Sequence, residues 1–305
     1  MLTRRMLLKG LGAALLGSVG LGSYAFGIEP MRLRVQRYAL RPEGWPAGLK
    51  LRVVALADIH ACRPWMSPER IRHVVSETNA LKPDLIVLLG DYAAGHHFVT
   101  DWVNSSEWSA ALSDLTAPLG VHAVLGNHDW WEDRTAQKQG HGPTFGHLAL
   151  ARVGIKVYEN DVLRLEKDGQ PFWLAGLGDQ LALLPGKRWG RTTWQGVDDL
   201  QGTLALIDDD APIILLAHEP DIFPKVPERV SLTLCGHTHG GQVRLFGYSP
   251  VVPSRFKNRY AYGLVSEARE GDERPRQMIV SGGLGCAIMP VRFGVPPEIV
   301  MLDLG

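Results

Sequence analysis

The side chains in this 305-residue chain that could hold metal and move protons fall into five short groups. Asp58 and His60 stand two apart, Asp91 follows Gly90, and Asn127, His128 and Asp129 follow Gly126. His218 stands alone, and His237 and His239 again stand two apart after Gly236. Imidazole and carboxylate in combination suit divalent transition metals, and no thiolate is among the candidates. Seven or eight such groups exceed what one tetrahedral ion can use. Two ions of octahedral leaning, sharing one bridging carboxylate, would account for them. On extended backbone, residues i and i+2 point the same way, so Asp58/His60 and His237/His239 are each expected to offer two ligands to one ion.

These residues must be positioned by something regular, and each group follows a short apolar run. Residues 49–57, 84–90, 121–125, 171–177, 212–217 and 230–234 are β-branched and Leu-rich, as buried strands are. Five of these six runs deliver His, Asp or Asn at their carboxyl ends, the edge where open α/β sheets place their sites. A lone Asp or His after a strand is usually a turn residue; five arrivals form a pattern. A helix is expected over Pro68–Leu81, with Pro68 in its first turn and Ile71, Val74 and Val75 on one face. A second is expected over Trp194–Asp209. Later runs at 242–245, 260–266, 277–281 and 299–304 are strand-like. Helices interleaved with strands early and strands alone later imply an α/β domain with more than one sheet. His73 and His122 are expected to be packed or surface residues, and Cys62 and Cys235 packing residues. His96, His97, His141 and His147, with Trp102, Trp108, Trp130 and Trp131, lie on segments that would border the site; the tryptophans are expected to fill a cap over the sheet.

The order D-x-H, G-D, G-N-H-D, H, G-H-x-H resembles the calcineurin-like metallophosphoesterase family in every element, from about residue 50 to the C-terminus. The resemblance implies a four-layer αββα sandwich of two mixed β-sheets flanked by helices. It also implies two divalent ions per chain, Mn, Fe or Zn. One would be held by Asp58, His60, Asp91 and His239, the other by Asp91, Asn127, His218 and His237, with Asp91 as the bridge. His128 would face the substrate as proton donor to the leaving group, with Asp129 orienting its ring. Two cations about 3.5–4 Å apart can share a water, bring its pKa towards neutrality and clamp the phosphoryl oxygens during in-line attack. A His is suited to protonate the leaving alkoxide near pH 7. Within the family, Gly236–Gln242 and the tail from Gly283 to Ile299 look most like a bacterial branch of exported or membrane-associated phosphodiesterases, the YkuE/YaeI type. Arg292 in that tail is a candidate substrate contact, or else a structural ion-pair partner. The chain departs from Ser/Thr protein phosphatases, having no Arg in Tyr92–Gly95 and Asn127-His128-Asp129 where those enzymes carry Glu. The expected substrate is a small or lipid-linked phosphate ester. The alternatives are a pyrophosphatase acting on UDP-2,3-diacylglucosamine and a non-catalytic cell-envelope binding protein; the second would be expected to lack ligands.

The first residues are read apart from the fold. Arg4-Arg5, preceded by Thr3 and followed by Leu7, Leu8 and Lys9, resembles a twin-arginine signal, and no charge follows from Gly10 to Ile28. Residues 1–28 are therefore expected to engage the twin-arginine export machinery, either cleaved near Ser23-Tyr24-Ala25 or kept as a membrane anchor. Residues 29–48 would be an extension or first strand, and 49–305 the metallophosphoesterase domain. The product is expected in the periplasm or on the outer face of the cytoplasmic membrane. Composition agrees: 45% apolar and 21% charged residues exclude wholesale disorder. The 32 basic against 32 acidic residues argue against a nucleic-acid partner. Three scattered cysteines make neither a disulfide framework nor a Zn knuckle.

Overall fold

The computed structural model describes residues 4–305; Thr3 of the twin-arginine pattern lies outside them. Strand β2 (Leu51–Leu56) explains the architecture in miniature. Its side chains alternate, Val53 and Ala55 entering one apolar cluster and Val54 and Leu56 another. Both faces of the strand are buried from Val53 to Leu56, so that stretch reads as continuously apolar. β4 (Leu85–Leu88) does the same, as does β10 (Ile213–Leu216), which adds a third cluster.

The result is two mixed six-stranded sheets. The first has the order β1-β14-β2-β4-β6-β7, with β1 (Arg34–Leu40), β6 (Val121–Ala123), β7 (Lys156–Val157) and β14 (Glu298–Leu304). The second has the order β12-β13-β11-β10-β9-β8, with β8 (Asp161–Lys167), β9 (Gln170–Gly176), β11 (Leu232–Cys235), β12 (Gly263–Glu267) and β13 (Arg276–Val280). A two-stranded ladder pairs β3 (Cys62–Arg63) with β5 (Asp101–Trp102). One cluster, including Val53, Leu85, Leu174, Ile214 and Leu234, fills the space between the large sheets. Helices α2 (Pro68–Ala80), α3 (Ser105–Leu112) and α6 (Phe145–Arg152) cover the outer face of the first sheet through Ile71, Val74, Trp108 and Leu150. Short helices α4 (Asn127–Trp131) and α5 (Arg134–Gln139) extend that layer. The second sheet is covered by α7 (Leu200–Ala205) and a 3₁₀ segment, Pro220–Lys225. This is the αββα arrangement.

Two expected elements differ. The helix over 194–209 shrinks to α7, because Asp199 caps it by accepting from Gly202 N at 2.9 Å and the chain before it is committed elsewhere. Gln195 bridges Leu183, and Val197 N donates to Asp179 O at 2.8 Å. The 242–245 run forms only isolated bridges, Val243 to Phe293 and Leu245 to Tyr248, after a tight turn at His239–Gly241. Residues 34–40 form the edge strand β1, parallel to β14. At the N-terminus, α1 (Arg4–Ser23) projects an exposed apolar surface, and Leu8–Met31 is long and apolar enough to cross a membrane.

Candidate metal centre

Strands β2, β4 and β6 run parallel, as do β9, β10, β11 and β13, and the loops at their carboxyl ends form the site. The loop after β2 is stitched to the loop after β4 by Asp58 N to Gly90 O and His60 N to Asp91 O, both 3.0 Å. Backbone conformation here is unusual. Asp58 (φ 54°), His60 (46°), Asp91 (60°), His237 (68°) and His239 (52°) all occupy the left-handed region that non-glycine residues avoid. The paired ligands therefore do not converge by the extended i, i+2 alternation expected from spacing. They converge because each loop turns sharply at the ligand itself, a strain that the surrounding contacts hold in place. Gly90 (φ 94°) turns with them, and a Cβ there would lie 2.5 Å from Gly126 N. At Gly126 the reason is space rather than φ: a Cβ would overlap Asp91 Oδ1 and lie 2.7 Å from His218 Nε2.

Two triads result. The ligand atoms of Asp58, His60 and His239 lie within 4.8 Å of one another, and so do those of Asp91, His218 and His237; all six residues are buried. Asp91 Oδ2 sits between the triads, 3.5 Å from His60 Nε2 and 3.2 Å from His218 Nε2. Asn127 Oδ1 reaches His237 Nδ1 at 2.9 Å. Tautomers follow from the outer bonds. His60 Nδ1 donates to Ala93 O (2.8 Å) and His218 Nδ1 to Leu89 O (2.7 Å), so each Nε2 turns a lone pair inward.

Three features fit this set to divalent ions. Asp58 Oδ2 and His218 Nε2 are buried with no hydrogen-bond partner among the described residues. His60 Nε2 and His239 Nε2 face each other at 3.1 Å. Burial lifts the Asp58 carboxyl to about 7, with Asp91 adding to the rise, and lowers the His60 imidazole to about 3. Bound cations would hold such acids ionised and such imidazoles neutral. Asp91 moves the other way: burial would raise it, but His218, His128 and His60 hold it well below the carboxylate range.

Three expectations change on contact with the geometry. Asp129 does not orient His128. Fully buried, it accepts from Asp91 N (2.9 Å), Tyr92 N (2.9 Å), Ala93 N (3.2 Å) and Gly126 N (3.0 Å), so it ties the β4 loop to the start of α4. Burial and the nearby Asp91 still lift its carboxyl to about 7. The half-buried His128 has no hydrogen-bond partner on Nδ1 among the described residues; its ring lies 5.0 Å from both the His60 and Trp131 rings. Arg292 is no substrate contact, being 0% exposed. Among the described residues it has no ion-pair partner either: its guanidinium donates to the carbonyls of Gly282 (2.8 Å), Val295 (2.9 Å) and Gly285, and lies 3.4 Å from His239 Nδ1. It clamps the loop behind the site.

Two residues escaped the sequence reading. Asp179 and Glu219 are buried and form a third cluster with His218. Burial, then Glu219, pushes the Asp179 carboxyl well above its usual range. The signal was present, since the 171–177 run leads into Gly178-Asp179 just as the 84–89 run leads into Gly90-Asp91. Of the expected border residues, Trp108 and Trp130 are buried; His122, expected to be a packed or surface residue, is satisfied by Tyr158 Oη and Leu119 O. His147 caps α6 by accepting from Thr144 N, while Trp131 packs at a 38° tilt against Trp194, 4.8 Å between ring centroids, beside the site.

Comparison with known proteins gives concordant results. Residues 51–241 match the family profile described as calcineurin-like phosphoesterase. The chain is similar to the metallophosphoesterase YkuE of Bacillus subtilis, at 29% identity over 99% of this chain and 98% of the relative. It is similar to the phosphodiesterase YaeI of Escherichia coli, at 29% identity over 100% of both chains. A metallophosphoesterase of Aquifex aeolicus is 28% identical over 94% of this chain and 97% of its own length.

Proposed function

This chain belongs to the calcineurin-like phosphoesterase family, and from that premise we propose that it is a dinuclear, divalent-metal-dependent phosphodiesterase. The observation that carries the reading is the position of Asp91 Oδ2, approached by His60 Nε2 from one triad and by His218 Nε2 from the other. That placement suits a carboxylate shared by two ions. Asp58, His60, Asp91 and His239 would hold one, and Asp91, Asn127, His218 and His237 the second. When bound, such a pair supplies a water of lowered pKa and Lewis acidity towards the phosphoryl oxygens. Asn127 contributes a neutral oxygen, which keeps the centre attractive to an anion. Asp91 Oδ1 accepts from His128 N at 2.9 Å, which fixes the bridge relative to the proton donor. His128, on the first turn of α4 and half-buried, would protonate the leaving oxygen. The phosphodiesterase YaeI, similar over its full length, supports diesters over monoesters as substrates.

The test is hydrolysis of bis(p-nitrophenyl) phosphate by Mn²⁺-loaded protein, with metal counted per chain. Two ions per chain and turnover are expected, and Asp91→Asn should reduce both. A single ion in active wild-type protein would overturn the shared-carboxylate reading.

We read residues 4–28 as an export signal retained as an anchor. What supports retention is how the segment ends. Ala25 is buried and accepts from Arg292 N at 2.9 Å, the Tyr24 ring meets Phe293 edge-on, and Glu29 and Pro30 are buried.

A further inference from the structure

Two cavities adjoin the centre and differ in chemistry. One, of about 580 Å³, touches His237 and is bounded by Trp131, Trp194, Glu219, Lys225 and Arg255. The other, of about 340 Å³, touches His239, and its walls are Val243, Pro250, Val251, Ile288, Met289 and Val291. Pro253 lines both. A phosphoryl group at the centre therefore has a polar, aromatic basin beside one ligand and an apolar groove beside another.

The apolar groove is built rather than incidental. Ile288 is 70% exposed and holds φ 63°, a conformation that a β-branched residue adopts only under constraint. The constraint is visible. Ile288 N donates to Gly95 O at 3.0 Å, and the Gln242 side chain braces the arm by accepting from Ala287 N (2.6 Å) and donating to Met289 O (2.9 Å) and Val291 O (3.0 Å). Val251 and Met289 in its wall are themselves exposed, 66% and 40%. An exposed apolar rim beside a polar catalytic centre marks a surface that meets something apolar.

What it meets is indicated by the other end of the same arm. Arg292 and Phe293, directly after Val291, are where Tyr24 and Ala25 dock, and α1 departs from that point. The groove wall and the foot of the apolar Leu8–Met31 segment are thus one continuous piece of structure. With that segment in a bilayer, the groove is held near the membrane surface.

We propose that the groove takes the hydrocarbon chain of an amphiphilic phosphodiester drawn from the membrane, with its phosphate at the His/Asp centre. This rests on the phosphodiesterase reading above. In the reaction a water oxygen bonds to phosphorus, the P–O bond to the leaving alcohol breaks, and the leaving oxygen takes a proton. The products are one phosphomonoester and one alcohol.

The experiment uses the full-length chain in lipid nanodiscs with Mn²⁺ and a series of p-nitrophenyl alkyl phosphodiesters carrying methyl, butyl or octyl groups. Burying each added methylene predicts that kcat/KM rises at least about tenfold from methyl to butyl. Val251→Asp and Ile288→Asn should flatten that rise while leaving the methyl diester rate unchanged. Asn tolerates the left-handed conformation better than Ile, so the second variant also guards against misfolding. Equal rates along the series, or a rise that survives both substitutions, would overturn the groove's role while leaving the phosphodiesterase reading intact. No hydrolysis of even the methyl diester would instead count against the phosphodiesterase reading.

Discussion

His128 and Arg292 illustrate how a side chain's contacts decide its role. His128 has no hydrogen-bond partner on Nδ1 among the described residues, and the role proposed for it is to carry a proton at the centre. Its value should then depend on how much the leaving group needs that proton. His128→Ala is expected to lower kcat for an alkyl leaving group by about 10²–10⁴ and to affect a p-nitrophenolate leaving group far less, with metal content unchanged. Equal losses on both would point to a structural role instead. Arg292 should behave in the opposite way. Arg292→Met strands the buried carbonyls of Gly282, Gly285 and Val295, and each unpaired buried acceptor costs about 1–3 kcal/mol. Thermal denaturation should show a loss of about 3 kcal/mol or more, whereas KM in metal-loaded enzyme should move little; a large KM effect at unchanged stability would restore the substrate-contact role. The candidate ligand set was legible because each of its residues sits at a strand end, where residue type and position both carry information. The partners of Asp129 and Arg292 were not, because they are backbone groups brought in by loop paths that no spacing in the chain reveals.

Among the elements, strands were read well and connections poorly, for a physical reason. A strand buried on both faces writes its whole length in apolar residues, as β4 and β10 do. A loop is determined by tertiary contacts, as at 194–199, where Gln195 and Val197 pair with Leu183 and Asp179 and so forbid the helix that local periodicity favours. Helix boundaries with side-chain caps were more accessible: Ser67 and Pro68 open α2 close to where the sequence placed it. The tight crossing of strand-end loops at Gly90 yields its own prediction. Gly90→Ala must hold φ 94° and place a methyl 2.5 Å from Gly126 N and 2.8 Å from His218 Nδ1, so the β4 and β6 loops have to part. A cost of at least about 1 kcal/mol in stability is expected. Because His218 is displaced from its Leu89 carbonyl, titration should also show metal affinity weakened by about 10–100-fold. Wild-type affinity in a stable Gly90→Ala protein would mean that the loops tolerate separation.

For the molecule as a whole, the two sheets bring their carboxyl edges together at the centre: Asp58, His60, Asp91 and Asn127 come from the first sheet, His218, His237 and His239 from the second. Ions held there would join the sheets in the folded state and have no comparable site in the unfolded chain, so binding should add to stability through mass action. At 100 times the dissociation constant each ion contributes about 2.7 kcal/mol, and two contribute about 5 kcal/mol. For a chain of this size a kcal/mol corresponds to roughly 2 °C, so chelation should lower Tm by about 10 °C and added Mn²⁺ should restore it with a concentration dependence. Asp58→Asn removes a ligand from the first sheet alone, and His218→Gln one from the second alone. If the ions clasp the sheets, either substitution should cut the Mn²⁺-dependent gain by half or more. A Tm that ignores both chelator and Mn²⁺ would mean that the apolar layer between the sheets suffices, and that the centre contributes nothing to holding them together.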